Sequence, residues 1–175
     1  MDRTACEPFF VVTPYVVVEN GLWRMWYCGC TEWLLHDGVT EPRYQIKYAE
    51  STDGVSWVRN DVTCIPYEAS DEVSTRPCVI RSADGTYRMW YCYRKIGGYR
   101  TDRSASYRIG YAESFDGITW ERQDRRAGIE PSGSGWDSEM LAYPFVYEYR
   151  STTYLLYNGN GFGASGFGYA VLEAA

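Results

Sequence analysis

Along the whole chain, short apolar runs rich in Val, Tyr, Trp and Phe alternate with polar, glycine-containing breaks, and no window holds apolar residues at the helical spacing. Such runs predict β-strands. The runs recur. Arg24–Cys28 reads RMWYC, as does Arg88–Cys92, and each copy is followed by Tyr-Ala-Glu-Ser-X-Asp-Gly-X-X-Trp, at Tyr48–Trp57 and Tyr111–Trp120. Tyr48 to Tyr111, Asp53 to Asp116, Trp57 to Trp120 and Pro14 to Pro77 all step by 63 residues, which marks repeated supersecondary units rather than a scattered motif. A third, more diverged copy starts at Pro144. It carries Leu155–Asn158 where Met-Trp-Tyr-Cys stood and Gly168–Ala170 where Gly110–Ala112 stood, and it stops before the Asp-Gly-X-X-Trp portion.

Each unit predicts four strands. The first follows the proline, at Tyr15–Val18, Cys78–Arg81 and Phe145–Tyr149. The second is the Met-Trp-Tyr run, entered through tight turns at Glu19-Asn20-Gly21 and Ala83-Asp84-Gly85, whose Asn-Gly and Asp-Gly pairs are strong hairpin signals. The third covers Tyr44–Glu50, Tyr107–Glu113 and Gly166–Leu172. A Ser-X-Asp-Gly turn, in which Asp bonds its own backbone and Gly takes positive φ, leads to a fourth strand bearing Trp57 or Trp120. The predicted fold class is all-β: a partial β-propeller of about three four-stranded blades, the last incomplete. Residues 1–175 read as a single propeller-type domain with repeats at about 8–62, 71–125 and 138–173. The recurring Trp26, Trp90, Trp57 and Trp120 are expected to pack blade against blade.

Composition narrows the function classes. A hydrophobic share of 45% with 17% aromatics is ample for a core, and the length suits one domain. A net charge of -6 with few basic clusters argues against nucleic acid and against an anionic membrane surface. No apolar run approaches the roughly 20 residues that cross a bilayer. Met1–Glu7 lacks the apolar region of a signal peptide, so the cytoplasm is the expected location. Cys28 and Cys92 occupy equivalent places in different repeats, and Cys28-Gly-Cys30 is the one close pair, with no second pair to complete a zinc-ligand spacing. Buried reduced thiols are expected instead, with no metal and no cofactor. His36 is the sole histidine, which excludes His-dependent triads and multi-His centres and leaves acid/base chemistry to carboxylates or tyrosines.

The succession PFFVVTPYVVVENGLWRMWY, YQIKYAESTDGVSW, RPCVIRSADGTYRMWYCYR, YRIGYAESFDGITW, WDSEMLAYPFVY and YNGNGFGASGFGYAVLE resembles the C-terminal blades of glycosidase-like five-bladed propeller proteins, which are related to glycoside hydrolase families 32, 43 and 130. The resemblance runs from about Glu7 to Glu173. The Ser-X-Asp-Gly-X-X-Trp element is similar to the Asp box of sialidases, one residue shorter, and in either form is a turn device.

The resemblance implies that the first strand of each blade lines a central channel, with Glu7–Thr13, Asp71–Arg76 and Trp136–Tyr143 approaching a substrate pocket. Glu72 and Glu139 both lie five residues before a blade proline, at equivalent rim positions. Glycoside chemistry needs such a pair: one carboxylic acid protonates the leaving oxygen while a carboxylate about 5 to 10 Å away activates water or attacks the anomeric carbon. Around that pair, Arg76 would depress a neighbouring carboxylate's pKa or bind hydroxyls, Trp136 offers an apolar face to a sugar ring, and Tyr143 stands at the same strand start. Asp137 reads as a substrate ligand or as a turn cap. Arg94, Asn158 and Asn160 read as secondary hydroxyl ligands, with the Gly159–Gly168 run letting backbone approach a ligand; a tight-turn role serves the asparagines equally.

The family's hydrolases draw three acidic residues from different blades, and the blade resembling the first contributor is absent. The expected function is a glycosidase-like propeller that acts on or binds carbohydrate, a hydrolase or phosphorylase if an enzyme; a non-catalytic carbohydrate-binding or assembly module is the alternative. The expected ligand is a small molecule or oligosaccharide. Three blades also leave two apolar faces bare, so a homodimer that closes a ring is expected, with Phe9–Val12 pairing as the missing outer strand of the last blade.

Overall fold

The computed structural model describes residues 1–172. Three antiparallel meanders follow one another. β1 (Val11–Glu19), β2 (Leu22–His36) and β3 (Val39–Ser51) make the first sheet; β4 (Glu72–Arg81), β5 (Tyr87–Lys95), β6 (Arg108–Ser114) and β7 (Glu121–Arg122) the second; β8 (Ala142–Tyr149), β9 (Thr152–Asn158) and β10 (Phe167–Val171) the third. They are successive blades, with β1 packed beside β4 and β4 beside β8. The chain is all-β, as the repeats predict. The fourth strand is the weak part of each blade: β7 has two residues, the first blade keeps only the bridges Glu50 to Val58 and Lys47 to Thr63, and the third has none among the described residues.

The innermost strands differ from the sequence expectation. They do not begin after the proline but run through it, from Val11, Glu72 and Ala142. Proline brings no N–H to a ladder, and each ladder is interrupted there by a bulge, between Val12 and Tyr15, Thr75 and Cys78, and Ala142 and Phe145. The residue before the proline absorbs the change of direction. Thr13, Arg76 and Tyr143 take φ of 52°, 55° and 60°, left-handed values that cost a residue with a Cβ roughly 1–2 kcal/mol each. Ladder pairing on both sides holds them there. The first blade also extends beyond expectation: β2 and β3 continue as a long hairpin to Asp37-Gly38, where φ of 49° and 78° make the tight turn that Asp-Gly favours.

The joint between the first two blades buries a continuous apolar cluster. Trp26, fully buried, lies with Ile46, Tyr48 and Ile65 against Val79, Met89 and Trp120 of the next blade. Its indole N–H donates to the Gly117 carbonyl at 2.8 Å, and its ring meets Trp120 edge-on at 6.1 Å. Gly117 is presented by the Ser-X-Asp-Gly turn, in which Asp116 accepts the amides of Ile118 and Thr119, each at 2.7 Å. Asp53 does the same for Val55 and Ser56 in the first blade, at 2.8 and 2.7 Å. The amides of Ser56 and Val55, with the Ser51 hydroxyl, hold the Asp53 carboxyl down to about 2. Five cysteines are buried and all six are free. Burial pushes the Cys28 and Cys92 thiols up to about 12, which keeps them protonated and inert at neutral pH.

Two expectations follow from this packing. Trp26→Ala should cost about 3–5 kcal/mol in urea unfolding, the range for removing a buried tryptophan, whereas exposed Trp33→Ala should cost far less. The depressed carboxyls at Asp53 and Asp116 contribute stability above an unfolded pKa of about 3.9 and lose it as pH falls toward 2. Thermal melts from pH 5 to 2 should therefore fall less steeply in Asp53→Asn/Asp116→Asn than in the parent chain.

Candidate functional site

Two clefts flank the loop that joins β5 to β6, at the end of the blades where the inner strands start. One, of about 290 Å³, lies toward the third blade and is walled by Tyr99, Arg100, Arg103, Glu139, Met140 and Phe162. The other, of about 280 Å³, lies toward the first-blade hairpin and is walled by His36, Asp37, Glu41, Tyr99 and Arg100. Glycines make the loop's close approach possible: a Cβ on Gly97 would sit 2.1 Å from the His36 ring. Tyr99 separates the clefts and is sandwiched by cations, with Arg94 3.6 Å and Arg100 4.1 Å from its ring centre. Arg100 is anchored to Glu41 at 2.9 Å.

Beneath the loop the repeats meet again. Tyr44 and Tyr107, equivalent residues of two blades, share a hydrogen bond of 2.9 Å, and the Arg94 Nε–H points at both hydroxyls at 3.1 Å. Arg94 also donates to the carbonyls of Lys95 and Ile96, at 2.6 and 2.8 Å. From Tyr107 the aromatic wall continues through Phe162, 5.8 Å away, to Tyr143, which stacks on Phe162 at 6.3 Å and has the Arg76 guanidinium 4.5 Å from its ring centre. The bulges thus aim Arg76 and Tyr143 toward the same wall.

The residues singled out in the sequence therefore separate into three groups. Arg76, Tyr143 and Glu139 gather at the Phe162 wall, with buried Arg94 behind it. The Glu139 carboxylate has no hydrogen-bond or ion-pair partner among the described residues, while its backbone is fixed by Asn160 and Arg108. Trp136, Asp137, Asn158 and Asn160 build the loops instead. Trp136 stacks on Tyr157 at 5.3 Å and fills the space over Gly159 and Gly168, where a Cβ would come within 2.3 and 2.7 Å of it. Asp137 is buried and accepts the Tyr157 hydroxyl at 2.9 Å; burial, then this bond, pushes that phenol up to about 12. Asn160 accepts the amides of Glu139 and Met140 and donates to Gly135 and Ser138, so its carboxamide is a clamp between two loops. Asn158 donates to the Phe162 carbonyl at 3.2 Å.

Glu72 stands alone. It is buried, and the Arg122 guanidinium takes both its oxygens, at 2.5 and 3.1 Å. Arg122 also binds Asp124 at 2.6 Å, and although burial works against its charge, the bonds to Glu72 and Asp124 raise its pKa. Burial and this bidentate grip hold the Glu72 side chain within the blade. The structure does not bring it to the cleft that Glu139 lines.

Sequence reasoning missed Tyr99, Arg100, Arg103 and Phe162. The available signal was the separation between RMWYC and YAES, long enough in both repeats to carry an insertion between the second and third strands, and long insertions in compact folds are commonly functional.

No family model matches the chain. The uncharacterized protein MT1551 of Mycobacterium tuberculosis (strain CDC 1551 / Oshkosh) is 42% identical over 168 residues, covering 95% of this chain and 52% of that protein. The uncharacterized protein Rv1502 of Mycobacterium tuberculosis (strain ATCC 25618 / H37Rv) is 41% identical over the same length. The chain spans about half the length of the curated relatives it matches. Among solved structures it is similar to Zg3597, a family 117 glycoside hydrolase from the marine bacterium Zobellia galactanivorans, with a TM-score of 0.68, 18% identity and coverage of 94% of this chain and 52% of that one. It is also similar to a thermostable family-43 glycoside hydrolase, with a TM-score of 0.67, 15% identity and coverage of 94% and 55%. Likeness at such identity shows the fold alone: the blades have the fold of glycoside hydrolase propellers and match about half of each of those chains.

The Glu72–Arg122 pair gives a direct expectation. Removing one partner of a buried pair strands the other, so Arg122→Ala should destabilise the chain by about 3–5 kcal/mol in urea unfolding. Glu72→Gln/Arg122→Met should recover only part of that loss, because Asp124 also loses its guanidinium partner.

Proposed function

We propose that residues 1–175 form part of a carbohydrate-binding propeller, with a sugar seated in the cleft against Phe162, beside Arg100, Arg103 and the Glu139 carboxylate. The observation that carries this reading is one unpartnered carboxylate in a cleft walled by aromatic rings and arginines. Sugars match that chemistry. Their C–H faces lie against aromatic rings, and their hydroxyls donate to carboxylates and accept from guanidinium groups. The fold likeness to glycoside hydrolases of families 43 and 117 supports it.

Cleavage of a glycosidic bond needs a second carboxylate about 5 to 10 Å from the first. Glu72 is committed to Arg122, and Asp102, the other carboxylate lining the cleft, already accepts the amide and hydroxyl of Ser104, so residues 1–175 on their own would bind rather than cleave, and hydrolysis or phosphorolysis would draw a second acid from blades outside them. Glu139 would then act as the proton donor, with Arg76, Arg100, Arg103 and Tyr143 contacting hydroxyls. A second copy of this chain is one source of such blades. The outer face of the third blade exposes Phe145, Tyr147, Phe167 and Tyr169, and β1 exposes Val12, Val16 and Val18, apolar surfaces of the kind that the intact joints bury. Head-to-tail closure of two copies would cover both, giving a closed homodimer.

The test is calorimetric titration with a panel of neutral and acidic oligosaccharides, with the assembly state fixed by sedimentation. Saturable binding that weakens about tenfold or more in Arg100→Ala and Glu139→Gln is expected, the usual effect of losing a charged hydrogen bond. Absence of binding across the panel, or binding indifferent to both substitutions, would sink the reading. Turnover by the chain alone would overturn the binding-only part of it.

A further inference from the structure

A cleft of about 390 Å³ opens between the second and third blades, with mostly apolar side chains, among them Trp90, Val146, Leu155 and Ala170, and polar backbone atoms in its lining. The internal repeat states what belongs in it. In the first joint, Val79, Met89 and Ala112 form one row across neighbouring strands and support Trp120 against Trp26. In the second joint the same row is Val146, Leu155 and Ala170, and the residue in Trp26's place is Trp90; all four line the cleft. Thr153 and Gly128 stand where the first joint has Tyr87 and Ile65, which widens the space. The cleft is therefore the first joint's tryptophan socket rebuilt, and residues 1–175 contain no third Ser-X-Asp-Gly-X-X-Trp to enter it.

A second observation points the same way. In the second blade, β7 pairs with β6 through Ala112 and Glu113. Their counterparts Ala170 and Val171 lie on the outer edge of β10, and no strand pairs beyond β10 among the described residues. An open edge beside an apolar socket is the geometry of β-strand addition, in which backbone bonds supply affinity and a side-chain pocket supplies selectivity.

We propose that this cleft is a strand-acceptor site: it takes a polypeptide segment carrying Ser-X-Asp-Gly-X-X-Trp, which adds beside β10 as the blade's fourth strand and seats its tryptophan between Trp90 and Ala170. Trp90 now donates its indole N–H to the Ala127 carbonyl at 3.3 Å; with the segment bound, the segment's glycine carbonyl offers the acceptor that Gly117 offers Trp26. Repeat equivalence assigns the space to an indole and the open β10 edge offers backbone bonds, which favours a peptide. The proposal rests on blade packing and stands apart from the carbohydrate reading.

A fluorescently labelled peptide with the sequence of residues 114–125 supplies the segment in trans. Saturable anisotropy with the 1–175 chain is expected, weakened at least tenfold when the peptide's tryptophan is replaced by alanine. In the chain, Ala170→Leu should fill the socket and weaken binding, whereas Thr153→Tyr, which restores the residue that coexists with Trp120 in the first joint, should leave binding intact. No saturable signal, or equal binding of the alanine peptide, overturns the proposal, as does loss of binding in Thr153→Tyr with the fold intact by circular dichroism. A dimer that Ala170→Leu abolishes while the peptide fails to bind would assign the socket to a second copy and equally overturn it.

Discussion

The rest of the molecule depends on how Trp26 crosses from one blade to the next. Its ring is buried against Val79, Met89 and Trp120, and its N–H, which would be costly to bury unpaired, is satisfied by a carbonyl of the neighbouring blade. That carbonyl is available because Asp116 has drawn the following amides into a tight turn. One tryptophan and one turn together set the spacing of two sheets. With that spacing fixed, the inner strands lie side by side, the hydroxyls of Thr13 and Thr75 come within 3.5 Å, and the loops at the strand starts converge on a common wall.

The joint also explains why the blades were legible in the sequence. A buried indole with its acceptor, and a turn that needs Ser, Asp and Gly in fixed places, tolerate few alternatives, so RMWYC and Ser-X-Asp-Gly-X-X-Trp persist in step. The start of each inner strand was not legible. Proline normally ends a strand pattern, and nothing in the apolar alternation reveals that the preceding residue turns left-handed and lets the ladder resume. The Asp37-Gly38 hairpin was legible in principle, but it interrupts the repeat rather than following it.

At the site, repeat equivalence carried part of the way. Arg76 and Tyr143 occupy the same bulge position in adjacent blades and do meet at one wall. Glu72 and Glu139 are equally matched in sequence yet live in different surroundings, because Arg122 sits on β7 and the third blade has no such strand among the described residues. Equivalence along the chain holds for backbone and fails for charge whenever the partner lies on an element that only one copy keeps. Trp136 failed as a sugar platform for a similar reason: Gly159 and Gly168, which suggested room for a ligand, make room for Trp136 itself.

The bulge before each proline separates two jobs within one strand. Below it, Tyr15, Cys78 and Val146 belong to the packed interior between blades. At it, Thr13, Arg76 and Tyr143 hold one backbone shape with three unrelated side chains: a short hydroxyl, a long cation and an aromatic ring. The shape is set by the ladder and the proline, so the side chain there is free to vary without disturbing the interior. Each blade thus presents, at the start of its inner strand, one position whose side chain can change while the scaffold stands still.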